Sequence, residues 1–249
     1  MRSQKSPGNE SRAVEGSVLV VGMGGLGVPA VCGLVRGGVR RLGLVDPDPV
    51  ELSNLARQVI YGASSLGRLK VEAAAERLRE GSESVAIETC PFALSPTNAR
   101  GLVRRYDFVI DATDDPAAKF LINDVCLALG KPFVYAGVLG MTGQAMTVLA
   151  GRTACLRCLF EEPPDTAEIA SCREAGIIGP VAAVIGEIEA AEAIRWLAGG
   201  APELAGKILT YEAGAHGRIR VTPVNVRAGC GCAGAAVRGA ERPAAARSQ

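Results

Sequence analysis

The sequence predicts a doubly wound α/β fold on a mainly parallel sheet with a C-terminal antiparallel extension, and three observations carry that expectation. Short apolar runs, Ser17-Val18-Leu19-Val20-Val21 and Phe108-Val109-Ile110, alternate with segments of helical period. Strands buried on both faces of a parallel sheet read this way. The first run feeds directly into Gly22-Met23-Gly24-Gly25-Leu26-Gly27, a turn that needs backbone freedom between a strand and a helix. Apolar residues are 48 % of the 249 and aromatics only 4 %, so a sizeable core is available, built from Val, Leu, Ile and Ala.

Each element follows in chain order. Residues 1–15 are rich in Ser, Gly, Pro and charge and are expected to form a disordered arm. The strand at Ser17–Val21 leads through the glycine turn into a helix ending near Arg36. A second strand, Arg41–Val45, ends on Asp46. Beyond a Pro-rich turn and the segment Ser53–Tyr61, a helix is expected over Ser64–Glu80, where Leu66, Leu69, Ala73 and Leu78 fall near helical spacing. Val85–Thr89 alternates as a strand, and Asn98–Arg105 suits a short helix. Phe108–Ile110 is a buried strand running into Asp111-Ala112-Thr113-Asp114-Asp115. Lys119–Leu129 reads as a helix stopped by Gly130, followed by strands at Phe133–Tyr135 and Gln144–Leu149. Strand–helix alternation of this kind implies right-handed crossovers.

The second half differs. Gly151–Gly179 is a long loop with two cysteine motifs, too long for a simple connector. Pro180–Leu197 is a strong helix with Val184, Ile188, Ala191 and Ile194 on one face, and Lys207–Glu212 and Arg218–Val226 form a strand pair. The organisation expected is one nucleotide-binding domain, 16–232, between the arm and a disordered Ala/Gly/Arg-rich tail, 233–249.

Composition excludes several classes. A net charge of +1 without a basic block gives no case for DNA. No signal peptide precedes Val18, and every apolar stretch is broken by Gly or charge short of a membrane span. A cytoplasmic protein with no membrane partner is expected. The single histidine, His216, rules out a multi-histidine metal site and sits in a turn, where a structural role is expected.

The glycine turn has the chemistry of a phosphate cradle. Gly22, Gly24, Gly25 and Gly27 let backbone approach an anion, and the helix behind them presents N–H groups and its positive dipole end. Asp46 closes the next strand about 20 residues on, where a carboxylate meets ribose hydroxyls. This pattern alone serves NAD, FAD and ATP equally. The stretch behind Asp46 carries Asp48, Asn54, Arg57 and Gln58, and Gly67-Arg68-Leu69-Lys70 follows. A nicotinamide enzyme has no need of these groups. A triphosphate needs cations, which Arg57 supplies as a fork and Lys70 as a point charge. Asp114, with Asp115 beside it at the mouth of a later strand, suits Mg²⁺.

The eight cysteines, in reducing surroundings, point to metal or catalysis before disulfides. Cys155-Leu156-Arg157-Cys158 and Cys230-Gly231-Cys232 offer four thiolates without histidine, which suits closed tetrahedral Zn²⁺. Cys172, in the long loop beside Arg173, is a candidate catalytic thiolate. Cys32, Cys90 and Cys126 fall on apolar positions and are expected in the core.

Taken in order, the glycine run Gly22–Gly27, Asp46-x-Asp48, Ser53-Asn54-Leu55-x-Arg57-Gln58, Gly67-Arg68-x-Lys70 and Asp111-Ala112-Thr113-Asp114 resemble the ThiF/MoeB/HesA adenylyltransferases, which are ubiquitin-activating-enzyme-like proteins with a Rossmann-like sheet. The resemblance spans about Val18 to Cys232. It implies ATP contacts from Gly24, Asp46, Asn54, Arg57, Gln58 and Lys70, Mg²⁺ at Asp114, and Zn²⁺ at the four cysteines. Arg57, Lys70, Asp114 and Cys172 would be the catalytic set. The activity implied is transfer of AMP to the C-terminal glycine carboxylate of a ThiS- or MoaD-like sulfur-carrier protein, serving thiamine, molybdopterin or related biosynthesis. It also implies a homodimer and a sulfurtransferase or cysteine desulfurase as further partner. In ThiF-like members a cysteine at the place of Cys172 carries the carrier through sulfur, whereas in MoeB-like members adenylation does not need it. A carboxylate is already nucleophilic, so scarcity of histidine is no obstacle.

Three positions depart from the family pattern. No Arg-Tyr-x-Arg-Gln sequence precedes Val18, where Arg12 is the nearest arginine. Asp115 stands where Asn normally follows the magnesium aspartate, and the second cysteine pair has one intervening residue instead of two. The alternatives these leave open are a catalytically weakened ATP- or carrier-binding homologue and a tRNA-modifying dehydratase relative.

Overall fold

The computed structural model describes residues 13–82, 84–163, 176 and 178–234. Arg12, Cys172, Arg173 and most of the expected arm and tail lie outside the described residues. Eight strands form one sheet in the order β3-β2-β1-β4-β5-β6-β7-β8. These are β1 (Val14–Val21), β2 (Val39–Val45), β3 (Ala86–Cys90), β4 (Phe108–Asp111), β5 (Phe133–Leu139), β6 (Thr142–Val148), β7 (Lys207–Glu212) and β8 (Arg218–Pro223). Pairings from β3 through β5 are parallel; those from β5 to β8 are antiparallel. The helices are α1 (Gly27–Arg36), α2 (Lys70–Gly81), α3 (Ala99–Val103), α4 (Pro116–Leu129), α5 (Leu156–Leu159) and α6 (Gly179–Leu197).

Alternation along each strand divides the core into two layers, as the period of two requires. Val18 and Val20 of β1 face α1, α2 and α6 together with Leu34, Leu44, Ala74 and Ile185. Leu19 and Val21 face the other way, with Tyr106, Phe133, Cys126 and the four knuckle cysteines. Cys90 and Cys126 are buried and Cys32 is half-buried. His216 takes a left-handed conformation (φ 59°) in the β7–β8 connection, a turn role.

Three expectations are corrected. The strand expected from Ser17 starts at Val14, whose N–H donates to Gly38 O at 3.0 Å, so Val14 and Glu15 belong to β1 and not to the arm. The helix expected from Ser64 starts at Lys70. Gly67 lies at φ +77°, Ala63–Ser65 form a single 3₁₀ turn, and Leu69 bridges back to Pro49. The apolar periodicity of Leu66 and Leu69 therefore belongs to a turn that delivers Lys70. In α6 the buried face is Val181, Ala182, Ile185, Gly186, Glu189, Ala190 and Ala193, whereas Val184 is exposed. Close helix approach selects the small residues, because a Cβ on Gly186 would stand 2.4 Å from Leu26 O and one on Gly33 2.8 Å from Ala190 Cβ.

Candidate active site

The sheet order reverses direction beside β1, which has β2 on one flank and β4 on the other. Ligands of open α/β sheets bind at such a switch point, in the crevice beyond the carboxyl ends of the strands. Four segments meet at it. A Cβ on Gly22 (φ +97°) would stand 2.6 Å from Ala112 O, so the glycine turn abuts the end of β4. Gly25 approaches Ala182 of α6, and Gly179, which starts α6, lies against Arg57.

The glycines divide by task. Gly22 and Gly27 serve the turn itself, since a Cβ on Gly27 would stand 1.9 Å from Gly22 O. At Gly24 the nearest atom to a Cβ would be Gln58 Nε2 at 3.7 Å. The Gly24 and Gly25 N–H groups make no backbone hydrogen bond among the described residues. They are available to an anion at the head of α1.

Asp46 fixes the cradle. Its Oδ2 accepts from Met23 N at 2.7 Å and its Oδ1 from Asp48 N at 2.9 Å. Each carboxylate oxygen has a second lone pair left for a ligand hydroxyl. Burial pushes the Asp46 pKa up, while the Met23 N–H, Lys70 and the Asp48 N–H pull it back. Lys70, buried at the first turn of α2, places Nζ 2.9 Å from Asp48 Oδ2 and 3.7 Å from Asp46 Oδ1. Lys70 N–H also donates to Asp48 O at 3.0 Å.

Tyr61 was not singled out by sequence reasoning. Its hydroxyl donates to Met23 O at 3.0 Å and lies 3.3 Å from Lys70 O, so one buried side chain bridges the glycine turn and the head of α2. The only sequence signal was a lone aromatic closing the segment Ser53–Tyr61.

Asn54 and Gln58 are buried and Arg57 is half-buried. Asn54 Oδ1 accepts from Glu51 N at 3.2 Å. Gln58 Oε1 is buried without a hydrogen-bond partner among the described residues, a polar atom that a ligand can satisfy. Arg57 Nη1 donates to Ser53 O at 2.9 Å. Asp114 is exposed at the rim. Asp115 Oδ1 accepts from Ala117 N at 2.9 Å as the N-cap of α4, so this carboxylate is engaged in capping. The turn before it is held from below by Asp111 Oδ1, which accepts from Thr113 N at 3.3 Å.

At the far side of the α4 layer, Cys155, Cys158, Cys230 and Cys232 place their four Sγ atoms within 4.8 Å of one another. Three of the separations are 3.9, 3.7 and 3.4 Å, against about 3.8 Å between thiolates on a tetrahedral ion bonded at about 2.3 Å. The donor set fits such an ion. Its frame is well anchored: Leu156 N donates to Asn123 Oδ1 at 2.9 Å, and Arg157 grips Asp124 with two bonds of 2.8 Å. Against the upward pull of burial, the Arg227 N–H on Cys158 Sγ and neighbouring donors bring that thiol down to about 7.

Fold and site together define an open α/β-sheet protein with a glycine turn at its switch point and a Cys₄ cluster able to hold a metal. The ThiF family profile matches residues 6–232, and the chain belongs to the ThiF family. A sulfur carrier protein adenylyltransferase from Thermus thermophilus is 41 % identical over 215 residues, covering 84 % of this chain and 79 % of that protein. The adenylyltransferase and sulfurtransferase MOCS3 of Sus scrofa is 42 % identical over 204 residues, covering 81 % of this chain and 44 % of that protein. The chain thus spans less than half of the MOCS3 relative. Escherichia coli MccB solved with ATP superposes with a TM-score of 0.78 at 20 % identity, covering 89 % of this chain and 68 % of that one. At that identity the likeness shows the fold alone.

Proposed function

We propose that this chain uses ATP to adenylylate the C-terminal glycine carboxylate of a ubiquitin-like sulfur-carrier protein. The observation that carries this reading is the convergence of Lys70, Asp46 and the open Gly24–Gly25 amides at the sheet's switch point in a chain 41 % identical to a sulfur carrier protein adenylyltransferase.

The chemistry needs little from the protein beyond placement and charge. A carrier carboxylate oxygen attacks the α-phosphorus, the bond to the bridging β-phosphate oxygen breaks, and pyrophosphate leaves with the electron pair. Asp46 holds the ribose, and the Gly24 and Gly25 N–H groups face the phosphates. Lys70 and Arg57 offset charge that builds on the leaving group, where a fixed donor is worth about 2.7–4 kcal/mol. Lys70 can leave Asp48 at little cost, because Asp48 is solvated. Asn54 and Gln58 orient the nucleotide, with Gln58 Oε1 gaining the partner it lacks. Asp114 would hold Mg²⁺, which neutralises the departing phosphates.

The four thiolates would hold one structural Zn²⁺ and tie the chain after β8 to α5. Cys172 would act after adenylation, when sulfur or the acyl group is handed on through a sulfurtransferase or cysteine desulfurase. A cytoplasmic homodimer completes the reading, supported by Leu52 and Val59, which are 74 % and 82 % exposed beside Arg57. The test is carrier-dependent ATP–pyrophosphate exchange. Exchange should appear only with a Gly-Gly-terminated carrier present. ATP binding without exchange would favour a binding-only homologue, and exchange driven by tRNA a dehydratase relative. Cys172→Ala should leave exchange intact.

A further inference from the structure

Three aspartates crowd the turn that leaves β4, and they do not share one task. Asp111 Oδ1 accepts from Thr113 N at 3.3 Å, and Asp115 Oδ1 accepts from Ala117 N at 2.9 Å. Thr113 Oγ1 accepts from Asp115 N at 2.8 Å. Asp111 and Asp115 are thus taken up in holding the chain, and exposed Asp114 is left for a ligand. The turn also abuts the phosphate cradle, since a Cβ on Gly22 would stand 2.6 Å from Ala112 O. A carboxylate that holds a metal beside that cradle serves only if the turn under it is rigid.

The base of the turn is gripped by α4. Lys119 lies in the first turn of that helix, with its N–H on Asp115 O at 3.1 Å. Helical side chains lean toward the N-terminus, so a lysine here reaches back over the turn that precedes the helix. Its Nζ stands 3.3 Å from Asp111 Oδ1 and donates to Ala136 O at 2.6 Å. The β4–β5 ladder ends at Asp111 and Tyr135, so Ala136 lies one residue beyond it. The ammonium therefore pins α4 to the ends of two strands at once, with the Tyr135 ring 5.0 Å away. Asp111 is fully buried, and only 12 % of the Lys119 side chain is exposed. Burial lowers the Lys119 pKa, but Asp111 and its neighbours raise it by more, and the lysine stays charged.

We propose that Lys119 is a positioning residue for Asp114, acting through Asp111 and the Ala136 carbonyl to hold the turn from 111 to 115 in place. Neutralising Asp111 accounts for one of its bonds; the bond to Ala136 O fixes where the ammonium sits. The chain of bonds runs from β5 through Lys119 and Asp111 to Thr113, and from Thr113 to Asp115 at the head of α4. Both chain neighbours of Asp114 are tied into it. The consequence for turnover rests on Asp114 as the Mg²⁺ ligand of the adenylylation reading; the rigidity of the turn does not.

Amide hydrogen exchange on the full chain tests the rigidity first. The Thr113 and Asp115 N–H groups should be protected although both residues reach the surface, and exchange as fast as in an unstructured peptide would overturn the proposal. Replacing both partners, Lys119→Met with Asp111→Leu, leaves no uncompensated buried charge, so the denaturant midpoint should stay near the parent's. That double variant should lose protection at Thr113 and Asp115 while keeping it in β1. In pyrophosphate exchange its kcat should fall, and its half-saturating Mg²⁺ concentration rise, about 10–100-fold, as loss of an orienting partner does. Parental values for both at a parental midpoint would overturn the positioning role and leave Lys119 a neutraliser of Asp111. Added to Asp114→Asn, the two substitutions should cause no loss beyond that of Asp114→Asn alone, because the group being positioned is already gone. A further loss of the full size in that background would overturn the proposal. A parent silent in pyrophosphate exchange but with protected Thr113 and Asp115 amides would count against adenylylation alone.

Discussion

The protein contains two sets of two carboxyl groups and one lysine, and they differ in their access to water. At the crevice, Lys70 faces Asp46 and Asp48, and Asp48 keeps 59 % of its side chain in solvent. Beneath it, Lys119 pairs with sealed Asp111 at 3.3 Å, and Glu189, also sealed, is the other carboxyl group whose charge acts on them. The same three groups therefore do different work. Of the upper set only Asp48 is solvated, and it can release Lys70 to an incoming anion, while buried Asp46 keeps the Met23 and Asp48 N–H groups. The lower set has no solvated member to give up, and burial raises both of its carboxyl groups.

Lys119→Met should break the contrast most severely. Removing the one cation from the sealed set should lower unfolding free energy by about 3–5 kcal/mol at pH 7, read from a denaturant midpoint. The loss should shrink as pH falls from 7 towards about 6 and level off below, where Asp111 takes up a proton in the parent as well. A loss under about 1 kcal/mol would mean the two sets are alike. Next, Lys70→Ala and Arg57→Ala should each cut pyrophosphate exchange about 10²–10³-fold with little change in the denaturant midpoint. Near-parental exchange in both would show that the open set handles no phosphate.

The thiol cluster is the outside reference for both sets. Purified protein should carry about one zinc per chain, and Cys155→Ser should lose it and melt lower, since such binding is coupled to folding. Metal analysis showing full zinc in that variant would contradict the ligand assignment. The smallest effect belongs to a half-exposed pair. Burial raises Asp124, but hydrogen bonds from Arg157 and Asn123 take it below its ordinary value. Its contribution is present above the ordinary carboxylate range and fades as pH falls through the lowered value. Asp124→Asn should cost at most about 1 kcal/mol at pH 7, and the difference from the parent should close in acid.

The central strands β1 and β4 were legible because both faces are buried, leaving unbroken apolar runs such as Leu19–Val21 between a polar start and Asp or Gly. Asp46 and Lys70 were each legible from motifs in order, though their pairing at 3.7 Å was not. What the sequence hid was of other kinds. Val14 and Glu15 look like arm residues, because pairing with β2 needs backbone and not side-chain hydrophobicity. The onset of α2 depends on one left-handed glycine inside an apparently helical pattern. In α6, large apolar residues on one side drew attention from the small ones that are buried. Glu189 reads as a solvated helix position beside Glu187, and only the fold buries it completely. Tyr61 acts through its hydroxyl on two carbonyls, a role no spacing announces.

The seam between α1 and α6, where Gly33 meets Ala190 and Gly186 meets Leu26 O, has a consequence for motion. Backbones in such contact leave no layer of side chains to slide or repack, so the two helices should open as one cooperative unit. Amide hydrogen exchange would then report a single protection factor across both. Because the glycine turn feeds α1 and Arg57 rests on the first residue of α6, the crevice inherits that stiffness along one wall. Whatever gating accompanies turnover has to come from elsewhere in the chain.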